Sequence, residues 1–378
     1  LFGSIADFFT NYILIFLAIL TVVVFVHELG HYLVARWNGV RVEVFSIGFG
    51  RELFGWNDKH GTRWRFSILP LGGYVRMFGD ADAASRPDGT ALTPEEQQVS
   101  FHHKRVGQRA AITAAGPIAN FIFAIVGLAL LFMIVGQVVT PAVIGGVVAG
   151  SAAEQAGLRA GDKILSANGE TVERFQDLQR IVRMSQDERL DLVIDRDGDR
   201  RNATAQLRTA EIKDARGNVQ QARLLGVQAP QGTTEVVRYG PSEATWQAAK
   251  QVYGFVALTL SEIGRMVSTG DADNLGGPIG IARGAGQAAE LGLDTVAFYT
   301  ILLSINLGLI NLFPIPLLDG GHLMFYGLEA IRGRPLGPKA QEFGFRIGFF
   351  LVFALMLFGT SNDLVSLKVW DVFKQLFS

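Results

Sequence analysis

Four apolar runs, each close to or beyond the roughly 20 residues that a bilayer requires, punctuate this chain. The first runs from roughly Phe9 to Val34 and the second from roughly Ala110 to Val139. The third, roughly Val296 to Leu318, reads VAFYTILLSINLGLINLFPIPLL; the fourth and shortest, roughly Phe345 to Phe358, reads FRIGFFLVFALMLF. Between them lie a polar stretch (Arg36 to Arg109), a long soluble-looking region (about Pro141 to Leu291) and a short loop (Leu323 to Gly344).

The polar stretches carry their own periodicities. Arg41 to Ser46 (RVEVFS) and Arg63 to Ile68 (RWRFSI) alternate polar and apolar, the period of a strand. Pro70, Gly72 and Gly73 then supply turn chemistry before Tyr74-Val75-Arg76-Met77. This predicts a small sheet or hairpin dipping back toward the membrane, followed by a polar loop from Asp80 to Gln98. In the long region, Ile144 to Val148 reads as a strand, and Ser151 to Gly157 as a short helix capped by Ser151. Asn168-Gly169 signals a tight turn, Phe175 to Met184 a helix, and Leu190 to Ile194 a strand. The string AGLRAGDKILSANGETV resembles a PDZ domain over about residues 142–229, in a single copy. Its groove is expected between Ile144–Val148 and Phe175–Met184. It either binds a peptide C-terminus or acts as a size filter; bulk beside the membrane favours the filter. Pro241 to Met266 is an amphipathic stretch suited to the membrane surface.

Composition agrees. Of 378 residues, 49% are hydrophobic and 18% charged, with a mean hydropathy of +0.27, unlike an ordinary soluble enzyme. The net charge of −1 gives nucleic acid no footing. The absence of cysteine excludes disulfides, thiol nucleophiles and Cys-rich zinc sites, so a metal must be held by His, Asp or Glu. No cleavable signal peptide is expected, because the first apolar run carries the chemistry described next. Lys and Arg crowd the ends of the first polar stretch (Arg36, Arg41, Arg51, Lys104, Arg105, Arg109) and of the short loop (Arg332, Arg334, Lys339). The positive-inside rule makes both loops cytoplasmic and the Pro141–Leu291 region extracytoplasmic.

Inside the first run stands His27-Glu28-Leu29-Gly30-His31. H-E-x-x-H places two imidazoles at i and i+4 on one helix face, able to grip Zn²⁺, with the glutamate beside them as general base. Ionisable groups at membrane depth are costly and point to function. A hydrolytic zinc site needs a third protein ligand and an open position. Asp319 is the candidate, just after two prolines break the third run (Asn311-Leu312-Phe313-Pro314-Ile315-Pro316-Leu317-Leu318-Asp319). Irregular backbone at that depth requires a cavity or burial in protein. His322 is a rival ligand, read instead as lying at the cytoplasmic end or behind the ligands. His60, His102 and His103 read as surface or interfacial.

H-E-L-G-H, N-x-x-P-x-P-x-L-D-G, the Gly116-Pro117-x-x-Asn120 pattern of the second run and the inserted PDZ-like string together resemble the site-2 protease family, most closely its bacterial RseP-like branch. The resemblance spans essentially the whole chain; it departs from the well-known enterobacterial member in having one PDZ domain instead of two. It implies a zinc metalloendopeptidase with one Zn²⁺ per chain, His27, His31 and Asp319 as ligands and Glu28 as base. It also implies that Arg63–Met77 is a membrane-associated β-loop that helps to hold substrate. Gly72, Gly73, Asn311, Pro314, Pro316 and Asn120 are the candidate substrate-binding residues, although Gly116, Pro117 and Asn120 also fit plain helix packing. The implied substrates are single-span membrane proteins already trimmed by another protease, such as an anti-sigma factor, cut in the inner membrane during regulated intramembrane proteolysis.

The expected fold is thus a polytopic α-helical membrane protein with four transmembrane helices, a membrane-associated β-hairpin or sheet, and an inserted α+β PDZ domain. Its divisions are an N-terminal protease half (1–140), a periplasmic PDZ domain (141–230), an amphipathic linker (231–292) and a C-terminal half (293–378), with the active site toward the cytoplasmic side. Two other readings are a binding protein of this fold that has lost catalysis and a metal transporter. The intact His27, Glu28, His31 and Asp319 set opposes the first, and the adjacent glutamate and PDZ-like string fit the second poorly.

Overall fold

A computed structural model describes residues 12–80, 91–185, 187–213, 219–230, 232, 234–270 and 276–366. The chain forms two compact units, one from residues 1–133 and 240–378, the other from Ile134–Tyr239.

The first unit contains four helices long and apolar enough to cross a membrane: α1 (Leu14–Trp37), α3 (Val106–Ile134), α8 (Leu293–Asn311) and α10 (Pro338–Ser366). Side-chain size and polarity set how they pack, because lipid is as apolar as a core. In α3 the residues Ile112, Gly116, Asn120, Ala124, Leu128 and Phe132 recur every fourth position and are buried. Ile118, Ile122, Val126, Leu130 and Ile134, also four apart, are exposed. The small and polar residues Gly116, Asn120 and Ala124 lie mid-stripe on the buried face, and the outward face is wholly branched apolar, where lipid replaces protein. Two glycines let helices meet at backbone distance: a Cβ on Gly30 of α1 would fall 2.3 Å from the Ala115 carbonyl oxygen, and one on Gly308 of α8 3.2 Å from Asn120 Cβ. Ser304 Oγ of α8 donates to the Asn120 carbonyl at 3.1 Å.

Several expected boundaries move. The second span ends at Ile134 instead of Val139, because Gly136 adopts φ +94° and Gln137–Val139 forms a strand, β3. The helix of the third run ends at Asn311, and residues 312–318 form a loop before α9 (Asp319–Arg332). The fourth helix is far longer than its apolar core, since Arg346 and Glu342 satisfy each other one turn apart at 2.6 Å. The first span continues to Trp37; its expected start at Phe9 lies outside the described residues.

β1 (Val42–Asn57) and β2 (Arg63–Met77) form one sheet. The turn expected at Pro70–Gly73 is instead continuous strand, in which β2 changes partners. Residues 42–47 lie between two segments of β2: Val44 pairs with both Arg76 and Arg63, and Ile47 with both Gly73 and Phe66. Residues 52–57 pair only with 63–67, so the outer lines of the sheet are 52–57 and 73–77. Asp58 closes the hairpin by accepting from the His60 and Thr62 amides, Trp64 Nε1 and Tyr32 Oη. Burial would raise its pKa, but these donors pull it down to about 2. Phe49, Leu53, Phe54, Trp56, Ile68, Leu69 and Leu71 are exposed apolar side chains at the far end. The Asp80–Gln98 loop holds a capped helix, α2 (Pro94–Val99); residues 81–90 lie outside the described residues. His102, expected at the surface, is partly buried, with Nε2 2.9 Å from the buried Asp80 carboxylate.

The amphipathic stretch forms α6 (Pro241–Thr269), followed by α7 (Pro278–Leu291). Asp363 of α10 accepts from the Gly277 and Gly280 amides at 3.1 and 2.9 Å, closing the N-terminus of α7.

The second unit is a small α+β body. Its four-stranded sheet has the order β6-β5-β7-β8 (Glu170–Thr171, Lys163–Ala167, Arg189–Arg196, Asp199–Gln206). Three two-stranded ladders complete it: β4 (Gly146–Val147) with β11 (Val227–Gln228), β9 (Arg208–Lys213) with β10 (Val219–Leu224), and β3 with β12 (Glu235–Val237). The strand expected over Ile144–Val148 is only two residues long. Ser151 caps α4 (Ala152–Gln155) by accepting from the Glu154 amide. Asn168 and Gly169, at φ +50° and +79°, make the tight turn that joins β5 to β6. Ile144, Ile164, Leu178, Leu190, Leu192 and Ile194 pack the core beneath α5 (Phe175–Met184).

Candidate active site

His27 and His31 project one turn apart from α1, and Asp319 opens α9. His27 Nε2 lies 3.2 Å from His31 Nε2 and 3.0 Å from Asp319 Oδ2; His31 Nε2 lies 3.5 Å from the same oxygen. All three are held away from solvent, with side chains 9–17% exposed. Ligand atoms about 2.05 Å from a tetrahedral centre stand about 3.3 Å apart, so this spacing suits one small cation. Asp319 Oδ2 is buried without a hydrogen-bond donor. A lone carboxylate oxygen between two imidazole nitrogens is costly unless a cation compensates it. Among the described residues this is the one His/Asp/Glu cluster with metal-binding geometry.

Helix α3 sets both imidazoles. His31 Nδ1 donates to the Ile112 carbonyl at 2.9 Å, which leaves Nε2 as the lone-pair nitrogen. Pro117, with no N–H to give Thr113, loosens the turn that presents this carbonyl. His27 Nδ1 lies 3.2 Å from the Asn120 side-chain amide. With Nδ2 toward the ring, Asn120 Oδ1 is buried and unpaired. The flipped amide lets Oδ1 accept the Nδ1 proton and frees His27 Nε2 for a cation, with Nδ2 then in the position that has no partner. Gly116 lies behind the two rings. A Cβ there would fall 2.3 Å from His31 Nε2 and 2.8 Å from His27 Nε2, so only glycine leaves the space between them open.

The loop before Asp319 is tightly folded. Leu318 N–H donates to the Ile315 carbonyl at 3.0 Å, and Leu317 takes φ +112°, a conformation costing about 1–3 kcal/mol for a non-glycine residue. Gly320 and Gly321 lie against the Phe313 and Ile315 carbonyls, where a Cβ would come within 2.2 and 2.4 Å. On its other side Pro316 packs on α10: a Cβ on Gly348 would fall 1.5 Å from the Pro316 carbonyl oxygen.

A cavity of about 150 Å³ opens on these residues. Glu28, Gly73, Tyr74, Val75, Thr113, Asn311, His322 and Tyr326 are in its wall with the three candidate ligands. Val75 lines the cavity beside Glu28, and Gly73 lies close enough that a Cβ would stand 3.2 Å from Glu28 Cγ. The sheet line 73–77 thus passes directly over Glu28. Met77 N–H, two residues along the same line, donates to Asp80.

Of the candidate substrate residues, Gly73 and Asn311 line the cavity. Gly72 instead packs against the Phe49 ring, at φ +144°. Pro314 and Pro316 are absent from the lining, and Asn120 is fully buried against His27. His322 lines the cavity beside the ligands. Sequence reasoning did not single out Thr113 and Tyr326. Tyr326 had a signal: Asp319, His322 and Tyr326 fall at i, i+3 and i+7, one face of a helix.

Comparison with known proteins agrees with this arrangement. The family model described as peptidase family M50 matches residues 15–355. A protein of Rhizobium meliloti, provisionally named a zinc metalloprotease, is 46% identical over 355 residues, 92% of this chain and 95% of its own length. One of Agrobacterium fabrum, with the same provisional name, is 44% identical, covering 95% of this chain and 97% of its own. Metalloprotease MmpA of Caulobacter vibrioides is 40% identical, covering 95% and 96%. A match across nine-tenths of the sequence, with four helices fit to cross a membrane, leads to one conclusion: the chain belongs to peptidase family M50, the site-2 protease family, and is a membrane metalloprotease.

Proposed function

We propose that this protein is an intramembrane zinc metalloendopeptidase in which His27, His31 and Asp319 hold one Zn²⁺ and Glu28 is the general base. The observation that carries the assignment is the convergence of two imidazole nitrogens and an unpaired carboxylate oxygen at 3.0–3.5 Å inside an apolar bundle. Zinc bound there supplies Lewis acidity for the scissile carbonyl and makes water a competent nucleophile near neutral pH. Glu28, beside the 73–77 line, takes the proton from water and passes it to the leaving amine. Asn120 and the Ile112 carbonyl keep both imidazoles in the ligating tautomer. Asn120 is therefore a positioning residue in this reading, and Gly73 and Asn311 are the residues best placed to touch substrate.

The substrates are transmembrane segments of single-span proteins, such as an anti-sigma factor trimmed beforehand by another protease. A helical segment hides its carbonyls in i→i−4 hydrogen bonds and must unwind before attack. The 73–77 line, an outer strand beside Glu28, is suited to hold the unwound segment by strand addition. The basic loops support an inner-membrane topology with the active site toward the cytoplasm and residues 141–230 in the periplasm. The inserted unit is read as a PDZ domain that screens bulky ectodomains.

The test uses purified wild type and Glu28→Gln with a tagged single-span substrate in detergent. Wild-type cleavage that disappears in the variant and in chelator is expected. No cleavage of any of several single-span substrates would return the binding-protein and transporter readings. Strand addition has its own check: a proline substitution within the 73–77 line should slow cleavage of stable helices more than of helix-poor segments, and equal losses would remove it.

A further inference from the structure

Helix α3 touches the site a third time, at its cytoplasmic end. Arg109, in its first turn, meets Glu329 near the end of α9, with Nη2 2.6 Å from Oε1 and side chains only 12% and 13% exposed. The Arg109 guanidinium also lies 4.9 Å from the centre of the Tyr326 ring and donates from Nε to the Lys104 carbonyl. Tyr326 and Thr113, back on α3, line the same cavity. Helix α9 begins at Asp319, so Glu329 lies about 15 Å along a rigid rod from the candidate third ligand.

This placement is specific. Asp319 follows a loop with two prolines and a residue at positive φ, and does not share a helix with His27 and His31. Something must fix the direction of α9 if the carboxylate is to meet both nitrogens. α3 already holds His31 through Ile112 and His27 through Asn120. The Arg109–Glu329 pair, with the Arg109 guanidinium against the Tyr326 ring, attaches α9 to that same helix.

We infer that Arg109 and Glu329 are a positioning pair for the metal centre: they align α9 on α3 so that Asp319 completes the site. This rests on the ligand assignment proposed above. A buried ion pair broken on one side leaves an uncompensated charge, which here would drive α9 away from α3 and Asp319 away from the histidines. Supporting contacts of this kind commonly change metal affinity by about 10- to 100-fold.

The full chain in detergent tests this, with zinc affinity read by competition against a chromophoric chelator and folding by circular dichroism. Arg109→Met and Glu329→Gln are each expected to bind zinc about 10- to 100-fold more weakly with helical content unchanged. The charge swap, Arg109→Glu with Glu329→Arg, should recover most of that loss. Asp363→Asn breaks a buried contact elsewhere in the unit; it should lower the melting temperature and leave zinc affinity as in wild type. Should Arg109→Met not fold, the nearly isosteric Glu329→Gln carries the test. Wild-type affinity in Glu329→Gln, a swap no better than the single variants, or an equal loss in Asp363→Asn would each overturn the inference. His27→Ala separates it from its premise. If that variant loses zinc while the pair variants keep it, only the positioning role fails; if it keeps zinc, the ligand assignment fails and takes this inference with it.

Discussion

Gly116→Ala should abolish zinc binding while leaving the helix that carries it intact. The added methyl would lie 2.3 Å from His31 Nε2, 2.6 Å from His31 Cε1 and 2.8 Å from His27 Nε2. Carbon makes comfortable contact at about 3.5 Å, so the His31 ring must retreat by about 1.2 Å. Its Nδ1 bond to the Ile112 carbonyl resists that retreat. A misplacement of about 1 Å at a reacting centre costs roughly 100-fold, or about 2.7 kcal/mol; zinc affinity should fall at least as far. Helix propensity acts in the opposite direction, since Ala is favoured over Gly inside a helix by about 0.5–1 kcal/mol. Overpacking costs about 1–3 kcal/mol, which that preference only partly offsets, so the variant should melt somewhat below the metal-free wild type with its helical content intact. Metal content after gel filtration, chelator competition and cleavage of a single-span substrate are the assays. Gly127→Ala on the same helix is the control, because its methyl would meet the movable Ile301 side chain at 2.9 Å. Gly116→Ala protein with one zinc at wild-type affinity would refute the reasoning, as the space between the two nitrogens could not then be where the ion binds.

Three further outcomes follow from neighbouring contacts. Asn120→Ala should weaken zinc binding by about 10- to 100-fold, whereas Asn120→Asp, which keeps an acceptor for His27 Nδ1–H, should lose much less; equal losses by chelator competition would rule out the flipped amide. Gly348→Ala forces a methyl to within 1.5 Å of the Pro316 carbonyl oxygen, so α10 or the 312–318 loop must move; overpacking of this kind costs about 1–3 kcal/mol, seen as a lower melting temperature together with reduced zinc affinity. In the inserted unit, burial would raise the Asp162 pKa, but Arg196 at 2.6 Å and the Arg159 amide hold it below its ordinary value. A carboxylate lowered on folding contributes stability above its unfolded pKa of about 3.9, and this is lost as pH falls through the folded value. Protection factors of the β5 and β7 amides, corrected for intrinsic exchange, should therefore be lower at pH 3 than at pH 5 in wild type, with a smaller difference in Asp162→Asn.

Local features were legible because their physics is local. The apolar runs marked four spans, since a spanning helix must satisfy its own backbone and face lipid. Asn168-Gly169 and Ser151 announced a turn and a cap because each acts within three or four residues. H-E-x-x-H showed a ligand pair for the same reason: i and i+4 share a helix face. Span ends were less legible. Gly136 and Pro314 end their helices, whereas Arg346 does not, because Glu342 one turn away balances its charge. The double pairing of Val44 and Ile47 was hidden, since strand register depends on partners distant in sequence. What tertiary structure alone decided is the use of α3. In sequence Gly116, Pro117 and Asn120 read equally well as packing, for small and polar residues serve both purposes in a bilayer. The close approach of Gly30 to Ala115 brings Asn120 to His27 and Ile112 to His31, and the packing of the 312–318 loop on α10, with the Arg109–Glu329 contact, brings α9 to the same point. The sequence by itself pointed to His27, Glu28, His31 and Asp319 as the candidate reactive groups. The packing of α1, α3 and α9 set the distances between them, because a metal site requires its donors to agree within tenths of an ångström, and no spacing along a chain specifies that across three helices.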